Sequence, residues 1–552
     1  MNPSIAQVVF GLPVEGPFDY LIPEDLASRV ALGQRVSVRF AGKKRVGIIV
    51  RLLKMSEHVG SLSVLIKILD EAPVFSSVFL KLSEIFARKF ACTQGEALQT
   101  FLPAYLRKPR IFKAFPKCVA DMGPTSLPTL ILDRGQTQRW EILLPLIAQT
   151  LHKGRGVLVL VPEAIRCPDV LPKLGPLVKA DERVLITQGT ENEEYQRWLA
   201  IRSGQAKLVV GFISAVFAPV KDLGLMVIIE EGSSFYKHDQ SPFYHARDVA
   251  FDRAQIEGCD LVCVSSAPSV ELWHRVKTGQ AGLRLLDEKL PPVKFLDLTN
   301  FKMKKGTFLS LGLRHEMEAV VKVGGKILLY IQAARGVSTV VEEVKRSFPG
   351  VRVVGYDKAS AKLPGDFDVI VTTQAMFRHR SSLKVALSVV LDIDWEFHKH
   401  DHQASHSAFA LVQHLRQMTQ ERVLLQTRQA SDLLLHTLAS DDVHDFYGQE
   451  LALRKQMGMP PFQSMVTLIV RSADPALACT ESKRLYDMLI PVLSEEMMVL
   501  EPQQDRSPVL RGKFRYCVSV QGFHRELLVG VIKDVLKAFR AKKDTVVTVN
   551  VD

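Results

Sequence analysis

Hydrophobic positions change their grammar along this chain. In residues 1–106 they come as short alternating or apolar runs at 7–10, 35–40 and 46–53, broken by glycine, proline and charge, which predicts a strand-rich unit. Pro73 precedes a helical pattern over 77–90. A basic segment at 107–113 then enters a Pro/Gly/Ser-containing stretch at 116–128, which reads as a linker. From there compact apolar runs recur at 129–132, 157–161, 183–187, 207–210, 225–229 and 261–264, separated by longer helix-compatible segments. That spacing predicts parallel strands buried on both faces. A second series at 326–331, 351–354, 368–371 and 386–391 predicts a second α/β lobe, with a joint near 290–310. After 426 the spacing loosens, Pro460-Pro461 marks another boundary, and the remainder reads as α+β.

At 552 residues, with 47% hydrophobic and 24% charged positions, the chain has the composition of three to four globular domains, which excludes a disordered or fibrous protein. Its net charge is +12 (71 basic minus 59 acidic), and residues 1–110 contribute +6 (15 minus 9), which favours a polyanionic partner. The seven cysteines are scattered, with neither a disulfide framework nor paired CxxC motifs, so a reducing compartment is expected. No apolar run reaches the ~18 residues of a membrane span, and the first residues do not read as a signal peptide. The expected location is cytoplasmic, with no membrane partner.

Specific strings narrow this. Phe18-Asp19-Tyr20 stands with Pro23, followed by Gly33, Arg35, Val36, Val38 and Gly47-Ile48. Residues 157–163 end in Pro162-Glu163, and 207–253 contain Ile229-Glu230-Glu231-Gly232 and an aromatic run. Glu450, Arg454 and Pro460-Pro461-Phe462 come later, then Gly512-Lys513-Phe514-Arg515-Tyr516. In that order, over nearly the whole chain, these strings resemble the bacterial primosomal protein N′ family, the replication restart helicases PriA. The resemblance implies the superfamily 2 DNA helicase fold: α/β, two RecA-like lobes, a small β-rich N-terminal DNA-binding domain and an α+β C-terminal domain. The divisions it implies are 1–106, a 3′-DNA-end-binding domain; 107–128, a basic linker lacking the family's winged helix; 129–300, the first lobe; 301–430, a second lobe without the zinc-binding insertion; and 431–552, the C-terminal domain.

The chemistry departs from that family. A helicase phosphate loop needs several glycines, a lysine on the phosphates and a Ser/Thr on magnesium. Here the matching stretch offers Gly135 alone, with Arg139 in the lysine place and Trp140 in the Ser/Thr place. The fork of arginine is no substitute for a compact ammonium, and tryptophan has no oxygen for the metal. Where the family carries Asp-Glu-Glu-His, this chain has Ile229-Glu230-Glu231-Gly232, leaving Glu230 and Glu231 as catalytic remnants. The family's arginine-finger string is absent, and Arg416 is the nearest arginine. The family enzyme is an ATP-dependent DNA helicase; this chain is expected to lack ATPase and helicase activity and to carry no cofactor, zinc included. Two alternatives stand beside that expectation. One is a divergent, active 3′→5′ helicase using ATP and Mg²⁺; the other is a protein-interaction scaffold without DNA binding.

The DNA-facing residues survive. In the N-terminal unit, Phe18 is expected to stack on a terminal base, Asp19 to accept from a 3′-hydroxyl and Tyr20 to support the pocket wall, while the family's pocket lysine falls at Ser63. Arg35, Lys43, Lys44 and Arg45 supply a phosphate-contacting edge. Phe235, Tyr236, Phe243 and Tyr244 interleave with Lys237 and Arg247, resembling the family's DNA-sensing aromatic loop, in which rings stack on bases and cations meet phosphates. The plainer readings are core packing for the aromatics, ion pairs for Arg134 and Arg139, an inherited strand cap for Glu230-Glu231 and a solvated face for Lys302–Lys305. The expectation is a PriA-like DNA-binding protein of replication restart and primosome assembly. Its expected partners are branched or single-stranded DNA, with replication-restart proteins, single-strand-binding protein or a replicative helicase loader as protein partners.

Overall fold

The structure is a computed structural model. It describes residues 4–56, 60–111, 126–135, 138–163, 167–186, 189–286, 288–301, 306–332, 336–360, 362–379, 382–397 and 402–552, without the side chains of 167–169 and 506–507. The Lys302–Lys305 cluster, most of the 107–128 linker, and His398 and His400 lie outside these residues. The chain divides into two compact units. One comprises Met1–Thr129, Ile142–Cys263 and Gly458–Asp552; the other comprises Leu130–Glu141 and Val264–Met457.

The first unit opens with β1 (Ile5–Val9), β2 (Phe18–Leu21), β3 (Arg35–Phe40), β4 (Lys43–Leu53), β5 (Ser63–Val64) and β6 (Lys67–Ile68). They form one sheet in the order β5-β2-β1-β4-β3-β6. Alternation puts Ala6, Val8, Tyr20, Val36 and Val38 into its core with Phe10 and Ile49. Gly33 turns at φ 80, and a Cβ there would stand 2.2 Å from the Phe75 carbonyl oxygen, so glycine is required. Helices α1 (Ser77–Lys89) and α2 (Gln94–Phe101) follow, the latter started by a Thr93–Glu96 capping box.

Strand β7 (Thr129–Asp133) and helix α3 (Arg139–His152) cross the boundary between the units. Then come β8 (Gly156–Leu160), α4 (Cys167–Leu174), β9 (Arg183–Ile186), α5 (Glu191–Ser203), β10 (Leu208–Gly211), β11 (Leu223–Ile229), α6 (Ala246–Glu257) and β12 (Asp260–Ser265). The strands take the order β12-β11-β8-β10-β9, with β8 parallel to both β10 and β11. β8 and β11 are buried at every position, as strands covered on both faces must be.

The second unit continues with α7 (Val270–Lys277), β13 (Gly282–Leu286), β14 (Val293–Asp297), α8 (Leu311–Lys322), β15 (Ile327–Tyr330), α9 (Val337–Ser347), β16 (Val353–Tyr356), β17 (Val369–Thr372), β18 (Val385–Val390), α10 (Asp394–Phe397), α11 (Ala404–Met418), β19 (Thr419–Thr427), α12 (Leu433–Ala439) and α13 (Val443–Gln456). β7 and β13 are neighbours here, while β14-β19-β18-β15-β17-β16 form a parallel sheet. This is the second RecA-like lobe.

The chain returns to the first unit with β20 (Ser464–Ser472), α14 (Pro475–Leu489), β21 (Met497–Val499), β22 (Gln503–Leu510), β23 (Lys513–Gly522), α15 (Arg525–Ala538) and β24 (Thr545–Val551). The antiparallel order β24-β20-β23-β21, with β22 on β23, is a split βαβ arrangement. Val466, Leu468, Val470, Val518 and Val520 face α14 and α15 through Leu485, Leu528 and Ile532. The alternate residues of β20 are only half-buried, so helices cover one face of this sheet.

Candidate nucleotide and nucleic-acid sites

The degenerate phosphate loop lies in the second unit. Buried Arg139 turns back on the strand-end carboxylate, with Nε 3.2 Å from Asp133 Oδ2. A Cβ on Gly135 would fall 1.4 Å from a Glu288 carboxylate oxygen, so that carboxylate lies directly against the loop. Trp140 is half-buried. Arg134 donates to the Asp441 carbonyl at 2.7 Å, and its own carbonyl accepts from Gln417 Nε2 at 2.9 Å. Two carboxylates and an arginine already paired with one of them are the wrong lining for an anion, and Trp140 offers no metal ligand. These residues do not fit a magnesium triphosphate. Arg416, the nearest arginine to the missing finger, has a fully buried side chain bound to the Pro291 carbonyl and the Asp441 carboxylate.

The acidic remnant lies in the first unit. β11 ends at Ile229, Glu230 takes a left-handed φ of 55, and Glu231 is fully buried. Arg247 Nη1 lies 3.2 Å from Glu231 Oε1, and Arg247 Nε lies 3.1 Å from Asp248 Oδ1. Asp248 in turn meets Arg525 of α15 at 3.3 Å. Burial alone would raise the Asp248 carboxyl, but Arg247, Arg525 and His245 hold it well below its usual range. Glu231 is thus the end of a charge chain running to the C-terminal sheet's own helix.

The aromatic run divides by exposure. Phe235 is 55% exposed and Phe243 half-buried. Tyr236 is buried and donates to the Ile229 carbonyl at 2.7 Å; burial, then Glu230, pushes its phenol well above the usual range. Tyr244 is buried among Phe86, Phe90 and Phe217, with His238 stacked on it. Lys237 is half-buried, donates to the Val551 carbonyl at 2.6 Å and pairs with Asp552. Phe243 bridges to Asn550 of β24. Tyr236, Tyr244 and Arg247 are therefore internal supports of this unit: all three are buried, and the polar ends of Tyr236 and Arg247 are satisfied inside it. Phe235 is the ring left to solvent.

In the N-terminal sheet, half-buried Phe18 packs on Phe10 and Phe40, with centroids 5.8 and 4.8 Å apart. Asp19 accepts from Gln7 at 3.0 Å and from Ser56. Tyr20 is buried, donates to the Arg39 carbonyl at 2.9 Å and lies beside Ser63 in register. Lys43 and Lys44 are exposed, next to a turn with left-handed Ala41 and Gly42, and Arg45 is half-buried. Arg35 corrects the sequence expectation. It is fully buried, pairs with Asp70, and donates to the carbonyls of Leu106, Lys108 and Arg110, so it cannot reach a phosphate. No signal at Arg35 itself marks it as internal; only Asp70 at the end of the following apolar run hints at a partner. Among the described residues no group of three or more potential metal ligands is found. Nor is any helix among them long and apolar enough to cross a membrane.

Residues 7–103 match the family model of the PriA 3′DNA-binding domain. The chain is 23% identical to Replication restart protein PriA of Rickettsia conorii over an alignment of 615 positions, which covers 94% of each protein. It is 22% identical to the Treponema pallidum protein of the same name over 655 positions, covering 99% of this chain and 98% of that one. It is 30% identical to the Probable replication restart protein PriA of Mycobacterium tuberculosis over 287 positions, covering 48% of this chain and 44% of the other. Matches that run end to end, the N-terminal domain match and the two parallel-sheet lobes agree, and the chain is similar to the PriA proteins along nearly its whole length.

Proposed function

We propose that this chain is a DNA-binding protein of replication restart that recognises forked or single-strand-containing DNA without ATP-driven unwinding. The observation that carries the second half of this reading is the phosphate loop, where the Glu288 carboxylate lies against Gly135 and Arg139 is tied to Asp133. An incoming triphosphate would meet two carboxylates, and Arg139 would have to break its pair to reach it. The first half is supported by the 3′DNA-binding domain match and by the exposed Lys43, Lys44 and Phe235. On this reading the lobes are a scaffold that carries the DNA-facing loops, and recruitment of restart proteins follows from occupancy of the fork. The test is fluorescence anisotropy with a labelled fork, a 3′-tailed duplex and a blunt duplex. Fork and tailed duplex bind more tightly than blunt duplex, ATP leaves the affinities unchanged, and each weakens as salt rises. Equal, salt-insensitive binding to all three would refute the reading and point to a protein scaffold.

A further inference from the structure

Two arginines from distant parts of the chain meet on one aspartate beside the degenerate phosphate loop. Arg134 directly follows β7, and Arg416 stands in the last turn of α11. The Arg416 side chain is fully buried, and Asp441 is its one carboxylate partner among the described residues. Its other donors meet main-chain oxygens, Nε the Pro291 carbonyl at 2.9 Å and Nη1 the Ser440 carbonyl at 3.4 Å. Arg134 reaches the same aspartate twice. Nη1 donates to the Asp441 carbonyl at 2.7 Å, and Nη2 lies 3.8 Å from the carboxylate. The arginines are enclosed, whereas the Asp441 side chain is 79% exposed, so the carboxylate enters their site from the solvent side.

The turn that carries Asp441, between α12 and α13, is itself fixed. Ser440 Oγ donates to Asp445 Oδ2 at 2.6 Å and accepts from the Asp442 N–H at 3.1 Å. The Asp442 carboxylate caps α13 through the His444 N–H at 2.8 Å. Gln417, next to Arg416, donates to the Arg134 carbonyl, so α11 holds the backbone of the loop whose side chain the turn holds. A buried guanidinium needs a counter-charge, and a second guanidinium on the same acceptor increases that need because the two cations repel. Convergent arginine forks are the groups that take an oxyanion.

We infer that Arg134 and Arg416 form an oxyanion site that the chain fills with its own Asp441 carboxylate, fastening the loop after β7 to the α12–α13 turn. The inference rests on the reading of that loop as one that holds no nucleotide, and adds what its neighbouring arginines hold instead. The experiment melts the full chain in inorganic phosphate and in sodium chloride at equal ionic strength. Phosphate stabilises folded proteins in general, so each variant is compared with the wild type in the same buffer. Asp441→Ala is expected to melt about 5 °C below wild type in chloride, and to recover most of that deficit as phosphate takes the emptied place. Adding Arg134→Gln to Asp441→Ala should reduce the recovery, because half of the anion's partners are gone. Asp441→Asn keeps the shape and removes only the charge, and it should also melt below wild type in chloride. An Asp441→Ala protein that melts with wild type, or whose deficit is the same in phosphate as in chloride, would overturn the inference and leave the proposed function standing. Should Asp441→Ala not fold, an Asp441→Asn protein as stable as wild type would overturn it equally. ATP hydrolysis by the wild type would instead sink the reading on which the inference rests.

Discussion

Arg35 illustrates how far one residue's role depends on partners distant in sequence. Its position in a basic N-terminal unit suggests a phosphate contact. Its five donors are instead shared between Asp70 and the carbonyls of Leu106, Lys108 and Arg110. Removing one partner of a buried ion pair leaves the other charge without compensation. Arg35→Ala is therefore expected to cost about 3–5 kcal/mol in urea denaturation, and a variant as stable as wild type would show that the pair is not structural. Lys43 and Lys44 behave oppositely. Exposed and beside a turn, their alanine variants should stay within about 0.5 kcal/mol of wild-type stability. Fork affinity should fall, with the salt slope reduced by about 0.9 for each lost duplex phosphate contact. Unchanged affinity would remove this edge from the interface. Tyr236, Tyr244 and Arg247 are buried as Arg35 is: residue type announces what a side chain can do, and the fold decides whether solvent or a neighbour receives it.

At the scale of elements the sequence was most legible where burial is two-sided. The apolar runs at 157–161 and 225–229 became β8 and β11, and the run at 386–391 became β18, because a strand covered on both faces leaves no polar positions to blur its ends. The half-exposed strands were harder. β2 carries the string that resembles a DNA pocket, and β13 and β14, with no fully buried position, fall where the apolar runs predict no strand. α11 carries a second kind of hidden information. His406 is buried with Nε2 2.8 Å from the Pro268 carbonyl, and burial, then Arg454, holds its pKa below the ordinary histidine value. Unfolding therefore takes up a proton as pH falls below about 6.5, so stability drops on acidification and is fully present above that pH. The urea stability of this unit should fall between pH 7 and pH 5.5, by up to about 1.4 kcal/mol for each pH unit. His406→Gln should flatten that dependence, and an equally steep dependence in the variant would assign it to another group.

At the scale of the whole molecule the family order of motifs was visible in the sequence, whereas the fate of the inherited chemistry was only partly so. The missing glycines and the Trp140 substitution could be read directly. Glu288 could not be, because it lies far along the chain from Gly135 and only folding brings its carboxylate to the loop. Likewise Glu231 survives as a motif letter, yet its carboxylate is held by Arg247 in a chain of charges that continues through Asp248 to Arg525. The compact units also cut across the lobe boundaries drawn from sequence: the N-terminal sheet, much of the first lobe and the C-terminal sheet share one unit. The central claim is that such a scaffold holds forked DNA without turning over nucleotide. It is tested most directly by steady-state ATP hydrolysis with and without fork DNA, recorded on a preparation whose fork binding is measured in parallel. The account predicts tight fork binding with hydrolysis at the background rate in both conditions. Hydrolysis that rises with DNA and disappears in Glu231→Gln would contradict it.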